Sequence, residues 1–227
     1  MSVDNVAFFV KFIDSQWVDS FVNEGVLYMN SLKYFREEED KLARGDELEG
    51  TSIIANGANS TVHISGKKLG GFIKGKIVFD YEESINIFSM VAVRDSAIKN
   101  ITTNQVLKFN PLFKNFGDTA IIITRENIPT FIKRIKSSFN KNSYIYQVRN
   151  EPYWAGAVNY VDDDFSGRYG PFKKNQSQSW QSEWRIAILR GAKHLKPKPY
   201  KLKIGSISDV CVKISTETLI NEGIRLD

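Results

Sequence analysis

The chain reads as an α+β protein forming a single domain over residues 1–227. Three observations predict it: short apolar runs rich in β-branched and aromatic residues, intervening segments with helical spacing, and no internal repeat, linker or low-complexity tract between them. At 227 residues one core is the default, because mixed domains of roughly 200 to 250 residues commonly fold as one unit. Hydrophobic residues make up 42% of the chain and aromatics 12%, enough apolar surface to offset the entropy of ordering it.

Residues 6–12, Val-Ala-Phe-Phe-Val-Lys-Phe, form an opening strand whose apolar character predicts burial. A helix follows. Asp14 or Ser15 is placed to cap it, Trp17, Val18, Phe21 and Val22 recur at helical spacing, and Gly25 ends it. Residues 26–29 make a second short strand, after which Ser31 caps a helix through Tyr34 and Phe35. Residues 37–50 turn acidic and are broken by glycine, predicting an exposed loop. Without histidine or calcium-loop spacing its carboxylates read as a solvated face, and no metal is assigned. Residues 51–93 read as β-structure with turns at Gly70-Gly71 and Gly75, ending in an apolar strand over 85–91. Residues 119–124 are a strand. In the helix after it, Ile128, Phe131, Ile132, Ile135 and Phe139 share one face, with Lys133, Arg134 and Lys136 on or beside the other. Further strands fall at 144–148 and 157–161. The lone Cys211 has no internal disulfide partner and sits in the alternating run 210–214, so it reads as packing.

Charge and hydropathy narrow the function classes. A formal net charge of +5 favours phosphate-rich partners, although a modest excess also serves solubility alone. Lys67, Lys68, Lys74 and Lys76 fit a phosphate contact and the solvent face of a hairpin equally well. No stretch reaches the roughly 18 to 20 apolar residues that span a bilayer and no cleavable leader opens the chain, so a soluble cytoplasmic protein without membrane contact is expected. His63 and His194 are too few and too far apart for a triad or a zinc site, and no glycine-rich phosphate loop occurs, which disfavours hydrolases and kinases.

Residues 162–179 lack apolar periodicity. They carry Asp162-Asp163-Asp164, Gly167, Gly170-Pro171, Phe172-Lys173-Lys174 and a polar run, then enter Trp180-Gln181-Ser182-Glu183-Trp184-Arg185. In a strand starting there, alternation puts Gln181, Glu183 and Arg185 on one face. A carboxylate two residues from an arginine is either a structural ion pair or the centre of a reactive site.

A Gln-x-Glu triplet opening a strand after a long polar and aromatic loop resembles the catalytic turn of mono-ADP-ribosyltransferases. The order strand (8–12), helix (17–22), strand (26–29) and a later strand with Ser89 is similar to theirs. The chain is also similar to poorly characterised bacterial and phage accessory proteins, through Gly25-Val26-Leu27-Tyr28-Met29-Asn30-Ser31-Leu32, Tyr34-Phe35, Arg44-Gly45-Asp46, Glu49-Gly50 and Phe172-Lys173 before Glu183-Trp184-Arg185. The resemblance implies a split β-sheet core with flanking helices and NAD as co-substrate. It implies Glu183 stabilising an oxocarbenium-like ribose, Gln181 orienting the acceptor and Ser89 supporting Glu183 or the ribose. Lys11, Tyr28, Asn30 and Tyr34 would meet NAD. Members usually carry Arg or His on the opening strand, whereas Lys11 offers a point charge without the guanidinium fork. Phe172, Lys173, Lys174, Trp180 and Arg185 would form the acceptor platform. Cations beside stacking surfaces suit single-stranded RNA or DNA, and the implied setting is a bacterial toxin or phage-defence effector restrained by an inhibitory partner. Two rivals keep the same residues: an NAD hydrolase that needs Glu183 but no acceptor, and a non-catalytic nucleic-acid- or host-factor-binding protein that needs the basic aromatic face but not Glu183.

Overall fold

In the first strand, β1 (Val6–Ile13), every residue except Lys11 is apolar, so the strand is stable only where both of its faces are covered. The computed structural model provides that. It describes residues 6–37, 47–56, 62–69, 74–99, 106–140, 154–190 and 196–225. β1 lies inside an eight-stranded sheet whose other members are β2 (Val26–Ser31), β3 (Asn86–Arg94), β4 (Thr119–Thr124), β5 (Trp154–Ala157), β6 (Glu183–Ile188), β7 (Tyr200–Lys203) and β8 (Val212–Ser215). The main path runs β5-β6-β3-β1-β4-β8, while β2 pairs with β3 and β7 pairs with β2. The pairings within this sheet are antiparallel. The protein is thus mixed α+β and mostly strand. No helix among the described residues is long and apolar enough to cross a membrane.

Both faces are packed. Helix α3 (Ile128–Asn140) lays Ile128, Phe131, Ile132, Ile135 and Phe139 against Phe9, Met90, Trp184 and Ile186, as its spacing predicts. Burying side chains of this size stabilises by roughly 1.5–3 kcal/mol each. On the other face Phe8, Val10 and Phe12 meet Phe109, Phe113, Leu219 and Ile220. The partly buried Cys211 packs against the first cluster.

The sheet forks in the middle. β1 pairs with β3 from Val6/Arg94 to Val10/Val91, with an irregularity after Val6. Beyond Val10, β1 stays with β4 through Lys11/Ile121, Phe12/Ala120 and Ile13/Thr119. β3 keeps β6 along its opposite edge, from Val91/Glu183 to Asn86/Ile188. At its start it takes β2 in place of β1, through Asn30/Ile87 and Ser31/Asn86. Residues Phe88 to Met90 therefore lie between two ladders. The Lys11 ammonium donates to the Ser89 carbonyl across this gap at 3.0 Å, supplying a partner where the ladder gives none.

Local detail departs from expectation in several places. The first helix enters as a 3-10 turn (Ser15–Trp17) before α1 (Val18–Val22), and Asp14 makes no side-chain cap. Ser15 instead bonds the Asp118 carboxylate through its amide and hydroxyl, at 2.8 and 2.9 Å. The Ser31 cap of α2 (Leu32–Glu37) forms as expected, accepting from the Tyr34 amide at 3.2 Å. The strand expected at 157–161 is broken at Val158, whose amide donates to the Glu183 carbonyl, leaving β5 and a separate strand Asn159–Val161. Lys67 and Lys68 stand exposed on a two-stranded hairpin, but Lys74 and Lys76 donate to the carbonyls of Asp163 and Glu47, so the four lysines do not act as one row. The strand expected at 144–148, the Gly70-Gly71 turn and most of the acidic loop lie outside the described residues.

Gly25 joins α1 to β2 at φ +64, and a Cβ there would stand 1.8 Å from the Gly205 carbonyl oxygen. Gly25→Ala is therefore expected to cost more than about 1 kcal/mol, read as a lower urea midpoint with unchanged slope.

Candidate functional site

The fork opens into a cavity of about 670 Å³. Lys11 to Asp14 and Trp17 line it from the β1 side, Tyr28, Asn30 and Tyr34 from the β2 side, and Phe88 to Val91 with Glu183 run along its base. Register fixes who faces whom. Val10, Val91 and Glu183 form one cross-strand row, whereas alternation sends Lys11 to the other face with Phe9 and Ile13. Lys11 reaches the cavity through the gap, its ammonium 4.7 Å from the Phe88 ring centre.

Glu183 does not stand alone. One carboxylate oxygen accepts from Lys174 Nζ at 2.8 Å and the other from Arg185 Nε at 2.6 Å. Arg185 forks onto Glu49 through Nη1 at 2.7 Å and Nη2 at 2.8 Å, and Nη1 also donates to the Pro171 carbonyl. Lys174 donates its second bond to Gln181 Oε1 at 2.7 Å. Two carboxylates and two cations thus close a neutral network. Arg185 and Glu49 are each only 1% exposed, so the pairing is what makes their burial tolerable. Burial alone raises the Glu183 carboxyl pKa, but the charges of Arg185 and then Lys174 more than reverse this and hold it below the usual carboxylate range. Burial acts first on Tyr160 as well, together with the Glu183 charge, and pushes its phenol up, so the hydroxyl stays protonated while it accepts from the Glu183 amide at 2.9 Å.

The structure brings Glu183, Gln181, Ser89, Lys11, Tyr28, Asn30 and Tyr34 to one cavity. Gln181 arrives by another route than strand alternation. It closes a 3-10 turn (Gln176–Gln181), Ser182 takes a left-handed conformation at φ +43, and the strand begins only at Glu183. The shared Lys174 ammonium reunites Gln181 with Glu183. Of the expected acceptor platform, Lys174 and Arg185 also line this cavity, whereas Phe172, Lys173 and Trp180 do not. Lys174 and Arg185 are buried and paired, and Phe172 packs beside Leu32, Ile85 and Ile87. Trp180 stands edge-on to Phe113 at 4.9 Å, and Lys173 lies over the Phe165 ring at 5.5 Å.

Sequence reasoning missed Glu49, assigned to a solvated acidic loop, and missed Trp17 and Lys201 as cavity residues. One signal pointed to a hidden acid: an arginine between Trp184 and Ile186 in an apolar strand needs a buried carboxylate besides Glu183. Comparison with family models, curated proteins and solved structures finds no match for the chain.

Glu49→Ala would strand the Arg185 fork, and a loss of about 3–5 kcal/mol in urea denaturation is expected. The depressed Glu183 pKa fixes the sign of a pH effect. Its stabilising contribution is fully present above the unfolded value near about 4.3 and is lost as pH falls below it towards the folded value. A stability profile falling below about pH 4, with a shallower fall in Glu183→Gln, is the expected result.

Proposed function

We propose that the chain is an NAD-dependent mono-ADP-ribosyltransferase built on an ADP-ribosyltransferase-like split sheet, acting as a bacterial toxin or phage-defence effector. The observation that carries the reading is the fork itself. It draws Lys11 of β1, Ser89 of β3 and Glu183 of β6 to one cavity, the three adjacent strands on which the resemblance puts the cofactor-binding, serine and glutamate motifs. The cavity volume falls within the roughly 300–1,000 Å³ of small-molecule sites. Because Lys174 and Arg185 balance the Glu183 and Glu49 charges, and Lys11 and Lys201 outweigh Asp14 at the walls, an anionic dinucleotide meets no net repulsion there. Trp17, Tyr28 and Tyr34 are 56%, 50% and 43% exposed, offering ring faces for the nicotinamide and adenine planes.

In this reading Glu183 stays ionised and acts by charge. As the bond from ribose C1′ to the nicotinamide nitrogen breaks, positive charge grows on the ribose, and a carboxylate beside it lowers that barrier. Nicotinamide leaves with the bonding electrons, the acceptor's nucleophile bonds to C1′, and its proton passes to solvent. Gln181, held by Lys174, orients the acceptor, and Lys11 and Ser89 border the entry of the cofactor.

The test incubates the protein with NAD labelled in its adenylate half and with a lysate split into protein and nucleic-acid fractions. Label in one fraction, reduced about 100-fold or more by Glu183→Gln, is the expected outcome. Free labelled ADP-ribose alone would make the protein a hydrolase, and no turnover in any fraction would overturn the enzymatic reading.

A further inference from the structure

β7 and the segment entering it carry a charge pattern of which the catalytic reading uses Lys201 alone. The sequence from Lys196 to Lys203 is Lys-Pro-Lys-Pro-Tyr-Lys-Leu-Lys, and no Asp or Glu occurs anywhere between Glu183 and Asp209. Lys196, Lys198, Lys201 and Lys203 are all exposed, and none of the four forms an ion pair among the described residues. Several cations elsewhere are met by acids: Lys33 and Arg36 by Glu83, Arg125 by Asp95, Arg134 by Asp209, Arg168 by Glu82. The basic face of α3 is thus partly neutralised at Arg134, while the β7 lysines are not.

Their backbone is fixed. Asn86 Nδ2 donates to the Lys198 carbonyl at 2.7 Å, and Arg190 Nη2 reaches the carbonyls of Lys196 and Lys198 at 3.2 and 3.3 Å. Pro197 and Pro199 restrict φ on either side of Lys198, so little chain entropy is lost when these lysines engage a partner. Leu202 is buried in the core, which leaves Lys201 and Lys203 on the opposite face of β7. On that face Lys201 stands across from Tyr28 in the β2 pairing, its ammonium 5.9 Å from the ring centre, and both residues line the cavity.

We propose that the Lys196–Lys203 track with Tyr28 binds single-stranded nucleic acid and leads it to the mouth of the cavity. It rests on the transferase reading only in naming that strand as the acceptor. Four ammoniums without an ion-pair partner suit a phosphate chain, and the half-exposed Tyr28 ring beside Lys201 gives an unpaired base a stacking face. A duplex holds its bases stacked inside and could use only the charges.

Binding of fluorescein-labelled single-stranded RNA and DNA dodecamers of mixed sequence, followed by anisotropy from 50 to 300 mM salt, tests this. The triple variant Lys196→Ala, Lys198→Ala, Lys203→Ala spares the cavity lining. It is expected to bind about tenfold or more weakly, with a salt slope shallower by about 2, from ~0.7 per lost phosphate contact. Lys67→Ala with Lys68→Ala, on the separate exposed hairpin, is expected to bind as the native protein does. Unchanged binding by the triple variant, equal loss in the hairpin variant, or preference for a duplex of the same sequence overturns the proposal. Glu183→Gln separates the two readings. Native-like oligonucleotide binding without NAD turnover by the native protein leaves the track standing and removes the transferase, whereas turnover with an indifferent triple variant does the reverse.

Discussion

Arg185 is a guanidinium almost without solvent contact in a strand whose following residues are apolar, and the site is organised by the need to satisfy it. A buried arginine without partners costs several kcal/mol, so each of its donors constrains whatever it touches. Its fork fixes Glu49, its Nε fixes Glu183, and its remaining bond fixes the Pro171 carbonyl. The distant Glu49 segment and the nearer Pro171 turn are thereby held against β6 at one point. The planar, always charged guanidinium suits this role, since a lysine would supply neither the fork nor the fixed directions.

The second constraint is the fork of the sheet. β3 has one unbroken neighbour, β6, and two partial ones, β1 and β2, on its other edge. A gap between partial neighbours leaves backbone groups that water or a side chain must meet. Lys11 is the one polar residue in β1, and it is the residue that crosses to the Ser89 carbonyl. Its presence in an otherwise apolar strand follows from the gap, and so does the cavity. The arginine network sits beside the same gap because Glu183 pairs with Val91, the last β3 residue still paired with β1.

Much of the fold was legible because period and composition report burial directly. β1, β4 and α3 follow from apolar runs and spacing, and the helix cap at Ser31 follows from its side chain. Features set by distant partners were not legible. Asp14 and Ser15 both look like caps, and only the position of Asp118 decides that Ser15 turns to it. Glu49 looks solvated within an acidic run, and Lys174 looks like a surface cation in a polar loop, since nothing local records that both converge on β6. Gln181 reaches the cavity that Glu183 lines, but by a 3-10 turn rather than by strand alternation. Alternation cannot foresee the left-handed turn at Ser182, although the same residue pattern signalled that the place was unusual.

The network also limits the chemistry that Glu183 can perform. A carboxylate whose two oxygens each accept a charged hydrogen bond is a poor base and a poor nucleophile, because both uses require it to give up electron density that the cations already hold. It remains a fixed negative centre that needs no reorganisation when positive charge develops beside it. The balance is delicate, because Lys174 and Arg185 that keep it ionised also screen it. The screening has two sources: Arg185, which acts more strongly on the carboxyl and is itself paired with Glu49, and Lys174. The Lys174 ammonium is shared with Gln181, whose carbonyl accepts from it at 2.7 Å beside the 2.8 Å bond to Glu183. Gln181 therefore helps to fix where that positive charge sits beside the carboxylate.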